Sequence, residues 1–144
     1  SMLKRIYNSK KYIDNHFILT YGDTISNINL KDFCLKSIKN KTIATIVLSK
    51  FKNPYGLVDI NSKKLATSFI EKPVEYNYIG YCFFRESVFN FIDNKYVINL
   101  KDSIGLIKIF KMLTSIEQLS TYCYTGYNIT FNTKADLENN YKTL

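Results

Sequence analysis

The sequence is expected to fold as a three-layer α/β domain around a mixed sheet. Three observations lead there. Residues 42–49 (TIATIVLS) form an unbroken, mostly β-branched run, as expected of a strand buried on both faces. Apolar residues recur at helical spacing before and after that run. The order strand, helix, strand then gives way to short paired strands, which suits a mixed sheet better than a purely parallel one.

Taken in order, Leu3, Ile6, Tyr7 and Ile13, separated by Lys and Asn, predict an N-terminal amphipathic helix. Residues 16–20 read as a buried strand that runs into a loop at Tyr21-Gly22-Asp23. Leu30, Phe33, Cys34 and Ile38 lie at helical spacing over residues 30–38, with Asn29 as N-cap. Pro54-Tyr55-Gly56 breaks the chain. Residues 57–60 and 65–70 then make a hairpin around Asn61-Ser62-Lys63. Residues 77–84 form a further strand candidate, 87–92 a short helix, and 104–113 a longer helix capped by Asp102 or Ser103. Residues 119–124 and 127–131 read as strands, and Thr133-Lys134-Ala135-Asp136 as a capping-box start for a last helix.

At 144 residues the chain is expected to be one domain over 1–144, long enough to bury a core. Its 46% hydrophobic content excludes a disordered chain. No apolar run approaches the roughly 18 residues of a membrane helix, and no membrane partner is expected. The start, Ser1-Met2-Leu3-Lys4-Arg5, does not read as a signal peptide, and Ser1 reads as a tag remnant. Cys34, Cys82 and Cys123 have no metal-site spacing and each lies in an apolar stretch. Buried reduced thiols and a cytoplasmic location are therefore expected.

The formal charge of +8 admits nucleic acid, an acidic membrane or a phosphorylated small molecule as partner. Only two of the twenty basic residues are arginines, Arg5 and Arg85. Base readout favours arginine forks, so nucleic acid is the weaker expectation. The lysines are spread along the chain, as on a solvated surface.

Several chemistries are excluded. The lone histidine, His16, is expected to be structural, and no serine sits in G-x-S-x-G. All five glycines, at 22, 56, 80, 105 and 126, are isolated, so neither G-x-G nor a P-loop is present. What remains lies in loops at strand ends, where α/β sheets hold their ligands. Asp23 is placed to hold Mg²⁺, or merely to cap the turn before Thr24. In Glu71-Lys72-Pro73, Lys72 offers a charge for a phosphate and Glu71 an acceptor for sugar hydroxyls. The alternative there is a surface ion pair. Arg85 would bind an anion or cap a strand end, and Lys63-Lys64 reads as a solvated hairpin tip. Tyr76, Tyr78 and Tyr81 would form a sugar platform, or simply alternate between an exposed and a packed face.

The ordered set resembles the sugar-1-phosphate nucleotidylyltransferases, in particular the glucose-1-phosphate cytidylyltransferases. Residues 17–23 with 25–28 (FILTYGD, ISNI) are similar to their F-x-x-T-Y-G-D segment, and residues 42–48 to their next strand. Residues 53–60 (NPYGLVDI) are similar to their G-R-[FY]-G-x-[LV]-D, 69–73 (FIEKP) to their F-x-E-K-P, and 126–133 to their G-F-W-x-x-x-D-T.

The resemblance implies a Rossmann-like nucleotide-diphospho-sugar transferase fold, truncated, with helices on both faces of the sheet. It implies attack of a sugar-1-phosphate on the α-phosphate of an NTP, releasing pyrophosphate. Asp23 and Lys72 then match the catalytic positions, and Glu71, Gly56 and Tyr78 fall among the substrate contacts. Asp23 and Asn132 match the positions that hold Mg²⁺. Three departures weaken the implied activity. The family's glycine-rich nucleotide-binding segment has no counterpart, so the chain reads as the sugar-binding, C-terminal part. Asn132 stands where the second metal carboxylate is expected, which weakens the Mg²⁺ site. Tyr78-Ile79 replaces a sugar-contacting Asn-Gly pair, and Lys108 stands near a later acidic sugar ligand.

The expected partners are therefore a sugar-1-phosphate or nucleotide-sugar, together with a second copy or a missing N-terminal half. Either of the latter would cover an exposed sheet edge, unless the N-terminal helix does so. The alternative is a non-catalytic module that binds a sugar phosphate, a nucleotide-sugar or a protein.

Overall fold

The computed structural model of the chain describes residues 2–93 and 104–140. Helix α1 (Met2–Ser9) runs into a 3₁₀ turn (Lys10–Tyr12), strand β1 (His16–Thr20) and the short β2 (Thr24–Ser26). Helix α2 (Leu30–Asn40) and β3 (Ala44–Lys52) follow, then β4 (Leu57–Ile60), β5 (Ala66–Ile70) and the long β6 (Val74–Arg85). A 3₁₀ segment (Glu86–Phe91), α3 (Ile104–Ser115), β7 (Leu119–Tyr124), β8 (Asn128–Thr130) and α4 (Lys134–Asn140) complete the described elements. The expected caps of α3, Asp102 and Ser103, lie outside the described residues.

The main sheet has the order β1-β6-β3-β7. β6 is antiparallel to both neighbours, while β3 and β7 run parallel, so the sheet is mixed as expected. Strand alternation divides the core in two. On one face Cys82, Phe84 and Ala44 pack beneath Leu3 and Ile6 of α1 and Leu106, Ile109 and Leu113 of α3. On the other, Phe83, Tyr81, Ile79 and Val47 pack beneath Phe33 of α2. Helices thus cover both faces.

Local signals set the helix ends. Asn29 accepts from Asp32 N at 3.0 Å, which satisfies one of the first-turn donors of α2. At the other end Arg85 Nη2 donates to Ile38 O at 2.7 Å and its Nε to Thr42 O at 2.9 Å. Arg85 therefore closes a helix C-terminus, where its charge complements the helix dipole. Thr133 Oγ1 accepts from Asp136 N at 3.1 Å and Asp136 Oδ2 accepts from Thr133 N at 2.8 Å, a reciprocal cap for α4.

The structure corrects four expectations. The strand expected over 127–131 shortens to Asn128–Thr130 and leaves the main sheet, pairing with β2 in a separate ribbon. The strand expected over 77–84 begins earlier, at Val74. Cys123 is exposed, because alternation along the edge strand β7 turns it to solvent, whereas Cys82 is buried and Cys34 half-buried. Tyr76, Tyr78 and Tyr81 do not form one platform: Tyr81 lies on the α2 face and Tyr78 packs on the α3 side against Phe110.

Candidate functional site

The sequence-predicted residues gather at two places. The first is the carboxyl end of β1. Tyr21 N donates to Gly80 O at 2.9 Å, which ties the strand end to β6. Gly80 has φ +84, and a Cβ there would meet Tyr21 Cβ and Cγ at 3.0 Å. Only glycine lets Tyr21 lie so close to β6. The chain then turns at Gly22 and presents Asp23, whose side chain is exposed.

The β2–β8 ribbon brings Asn132 to the same place. Phe131 N donates to Asp23 O at 2.7 Å, so Asn132 follows the residue bonded across from Asp23. Thr24 Oγ1 donates to Asp23 Oδ1 at 3.3 Å and lies 3.3 Å from Thr130 Oγ1. Asn132 N donates to Asp136 Oδ2 at 2.9 Å. That bond and the bonds from Thr133 hold the Asp136 carboxyl below the usual carboxylate range. Sequence reasoning gave Asp136 a helix-start role but not its place beside Asn132. Asn27 lies within the 25–28 segment but was given no role of its own. Its Oδ1 accepts from Tyr124 Oη and Tyr127 N and fixes the base of the ribbon. Only the long-range pairing of β2 with β8 reveals it.

Asp23 can supply one carboxylate to a divalent cation and Asn132 one neutral oxygen. Among the described residues no three acidic, histidine or cysteine side chains converge on a metal. Mg²⁺ commonly takes one or two carboxylates and completes its shell with substrate phosphates and water. The donor set fits an ion that arrives with a phosphate substrate, and it does not form a closed protein cage.

The second place is the root of the β4–β5 hairpin. Leu57 pairs with Ile70, which sets Gly56 beside Glu71. A Cβ at Gly56 would meet Phe69 Cζ at 2.8 Å and Glu71 Oε2 at 3.5 Å, so a larger residue would push the exposed Phe69 ring aside. Lys72 Nζ lies 3.7 Å from Glu71 Oε1, with side-chain exposures of 55% and 62%. The expected alternative, a surface ion pair, is thus present, and its lysine is open to an incoming anion. Lys72 also has φ +44 directly before Pro73. A side chain disfavours positive φ, and a following proline favours extended backbone, so this turn stores strain.

Tyr78 lies beneath the first place and away from the second. Its ring meets Tyr21 edge-on at 5.7 Å and Phe110 at 5.4 Å. Its hydroxyl is buried without a well-formed hydrogen bond. Burial raises its pKa, with Tyr21 adding to the shift. Tyr78 therefore sits beneath Tyr21 as a support for the strand end. His16 stacks on Phe83 at a centroid distance of 5.2 Å, in line with the structural role expected of it.

The nucleotidyl transferase family model matches residues 2–127. No curated protein sequence matches the chain significantly. Among solved structures, a candidate glucose-1-phosphate thymidylyltransferase from Bacillus anthracis, in complex with sucrose, is similar at a TM-score of 0.66 and 17% identity. The match covers 96% of this chain and 58% of that one. HddC from Yersinia pseudotuberculosis is similar at a TM-score of 0.66 and 19% identity, covering 99% of this chain and 62% of that one. The same protein complexed with GMP-PN gives a TM-score of 0.61 at 16% identity, again covering 99% and 62%. The chain thus spans 58–62% of the length of these structures. Among the described residues no helix is long and apolar enough to cross a membrane.

Proposed function

From the premise that this chain belongs to the nucleotidyl transferase family, we propose that it binds a sugar-1-phosphate, or the nucleotide-sugar made from it. The reaction it serves is NTP plus sugar-1-phosphate to NDP-sugar plus pyrophosphate, in a cytoplasmic setting. The observation that carries the reading is the strained Lys72 at the hairpin root. Lys41, Lys64 and Glu117 also take positive φ, but Lys72 alone among them does so directly before a proline, and strain of that kind favours a position where a side chain is presented to a ligand.

In this reading Lys72 holds the sugar phosphate as a point charge, Glu71 accepts from sugar hydroxyls, and Gly56 keeps the floor open. Tyr78 acts by supporting Tyr21. Asp23, with Asn132 beside it, would hold Mg²⁺ together with the substrate phosphates. The ion would supply charge neutralisation to the transferring phosphoryl group. No protein nucleophile is required, since alignment and charge stabilisation suffice for this displacement. The chain contains no glycine-rich phosphate loop, so by itself it binds and does not turn over. In this reading the nucleotide-binding part comes from elsewhere, in the same polypeptide or in a partner chain. The motif likeness to cytidylyltransferases makes CTP the first nucleotide to try.

The test is thermal stability with and without Mg²⁺ in the presence of CTP, UTP, dTTP, glucose-1-phosphate and the matching nucleotide-sugars. A ligand at about 100 times its Kd adds roughly 2.7 kcal/mol of stability. A shift with glucose-1-phosphate or one nucleotide-sugar is expected, and Lys72→Ala should abolish it. Asp23→Ala should remove only its Mg²⁺ dependence. No shift with any of these ligands, or a shift indifferent to Lys72→Ala, would overturn the assignment.

A further inference from the structure

The backbone at Gly56 does not call for glycine, since its φ, unlike that of Gly80, is not positive. What glycine supplies there is room. A Cβ would meet the Phe69 ring at Cζ, 2.8 Å away, and at Cε2, 3.1 Å away. One edge of the ring therefore rests on the Gly56 backbone. Glu71 Oε2 lies 3.5 Å from the same point, so ring and carboxylate meet over one glycine. The register explains this. Leu57 pairs with Ile70 and Val58 with Phe69, and side chains two residues apart on a strand share a face. Phe69 and Glu71 thus project from one side of the hairpin, with Lys72 Nζ 3.7 Å from Glu71 Oε1.

Phe69 is nonetheless 66% exposed. A ring pinned at one edge and open over most of its surface adds little to a core, but it suits a flat apolar ligand. A hexopyranose is such a ligand on one side. Its C–H bonds are weakly positive, and the face of an aromatic ring is negative. Its rim of hydroxyls and phosphate needs an acceptor and a cation, which Glu71 and Lys72 provide. Aromatic ring, carboxylate and ammonium lie together here within one turn of chain.

We propose that the Phe69 ring is the platform on which the sugar of a hexose-1-phosphate lies, with hydroxyls directed to Glu71 and the phosphate to Lys72. The proposal rests on the reading of Lys72 given above and adds a stereochemical class to it. In an α-hexose-1-phosphate the phosphate is axial, so only the opposite face can lie flat on an aromatic ring. In the gluco configuration the axial positions of that face carry only hydrogen. An axial hydroxyl there, as in mannose, would hold the sugar off the ring and cover an unpaired hydroxyl. Glucose-1-phosphate is therefore preferred to mannose-1-phosphate, and Phe69 is the residue that sets the preference.

The test is calorimetric titration of the full chain with glucose-1-phosphate, mannose-1-phosphate and inorganic phosphate. Wild type should bind glucose-1-phosphate most tightly. Phe69→Leu should weaken that binding by about two- to tenfold, the range of an aromatic contact. It should also erase the preference over mannose-1-phosphate and leave inorganic phosphate unchanged, because Lys72 remains. Phe69→Tyr should keep both affinity and preference. Gly56→Ala should push the ring aside and reproduce Phe69→Leu. The double variant should be no weaker than either single one, since both act through the same ring.

Aromatic cover of a glycine also firms a strand pair. Were that the whole role, Phe69→Leu would weaken all three ligands alike, and the proposal would fall. It would fall equally if wild type bound the two sugar phosphates alike, or if Phe69→Leu bound glucose-1-phosphate as wild type does. In those cases the Lys72 reading would stand. A wild type that binds none of the three, or binds them without regard to Lys72→Ala, would instead overturn the Lys72 reading and the platform with it.

Discussion

Gly80→Ala is the substitution whose cost follows most directly from the geometry. At φ +84, a side chain costs roughly 1–2 kcal/mol in backbone sterics alone. The new Cβ would also stand 3.0 Å from Tyr21 Cβ and Cγ. Those atoms lie close to the backbone of Tyr21, whose own N–H is bonded to Gly80 O, so they cannot swing aside as a flexible side-chain tip would. Overpacking of this kind costs about 1–3 kcal/mol. The total, about 2–5 kcal/mol, is a large share of the roughly 5–15 kcal/mol that holds a domain folded. At about 2–4 °C per kcal/mol, the thermal midpoint should fall by about 4–20 °C. Gly22→Ala is the control: its Cβ would meet nothing within 4 Å and its φ is not in the positive range. It should stay within about 0.5 kcal/mol of wild type. The assay is thermal unfolding followed by circular dichroism. If both variants melt within about 2 °C of wild type, the tight contact of Tyr21 with Gly80 is not what fixes the end of β1.

The remaining expectations are more local. Lys72→Gly should relieve strain of about 1–2 kcal/mol at φ +44, offset in part by the entropy of an added glycine. The variant should melt no lower than wild type while losing the glucose-1-phosphate shift. Arg85→Met removes two hydrogen bonds to backbone carbonyls and should cost about 1.5–3 kcal/mol, read as a lower urea midpoint. Tyr122 Oη donates to Asp32 Oδ2 at 2.6 Å, and that bond pushes the Tyr122 pKa from 10.0 up to about 12. A raised phenol pKa means stability that is complete below the unfolded value and is lost as pH rises toward the folded one. Wild type should therefore lose stability between pH 10 and about 12, and Tyr122→Phe should lose less, since Tyr78, Tyr21 and Tyr124 are raised as well, chiefly by burial. The same bond and Lys36 hold Asp32 low, so a smaller contribution disappears as the solution is acidified through its folded pKa.

The parts of the fold that were legible in the sequence are those with a local cause. The β-branched run that became β3, the Asn29 cap and the Thr133 capping box each announce themselves within a few residues. The β2–β8 ribbon does not. Thr24 pairs with Thr130 and Ser26 with Asn128, and three-residue strands so far apart leave no periodicity to read. Arg85 shows the same limit. Its type suggested an anion or a strand end, but its bonds to Ile38 O and Thr42 O depend on β6 lying beside the end of α2. Tyr78 was visible as an aromatic on a strand. That it underlies Tyr21 depends on where β1 ends against β6, which no local pattern encodes.

The two groups of candidate residues differ in how firmly they are held, and this bears on how a ligand would use them. Asp23 follows a strand tied to the main sheet, and the ribbon behind it is fixed by Asn27 and by Phe131 N on Asp23 O. Lys72 and Glu71 lie in the turn that joins the β4–β5 hairpin to β6, and Asn53 N donates to Pro73 O at 3.0 Å, which ties the far side of that turn to the main sheet. Leu57, Val58, Ile60, Phe69 and Ile70 of that hairpin are all exposed. A lone two-stranded hairpin is marginally stable, and segments with few buried contacts open at low free energy. A sugar phosphate at Lys72 therefore meets a turn held firmly on its β6 side and weakly on its hairpin side, whereas a cation at Asp23 finds a formed strand end. Substitutions that stiffen the hairpin without touching Lys72 should therefore tighten sugar-phosphate binding only modestly, read as a small increase in the thermal shift with glucose-1-phosphate.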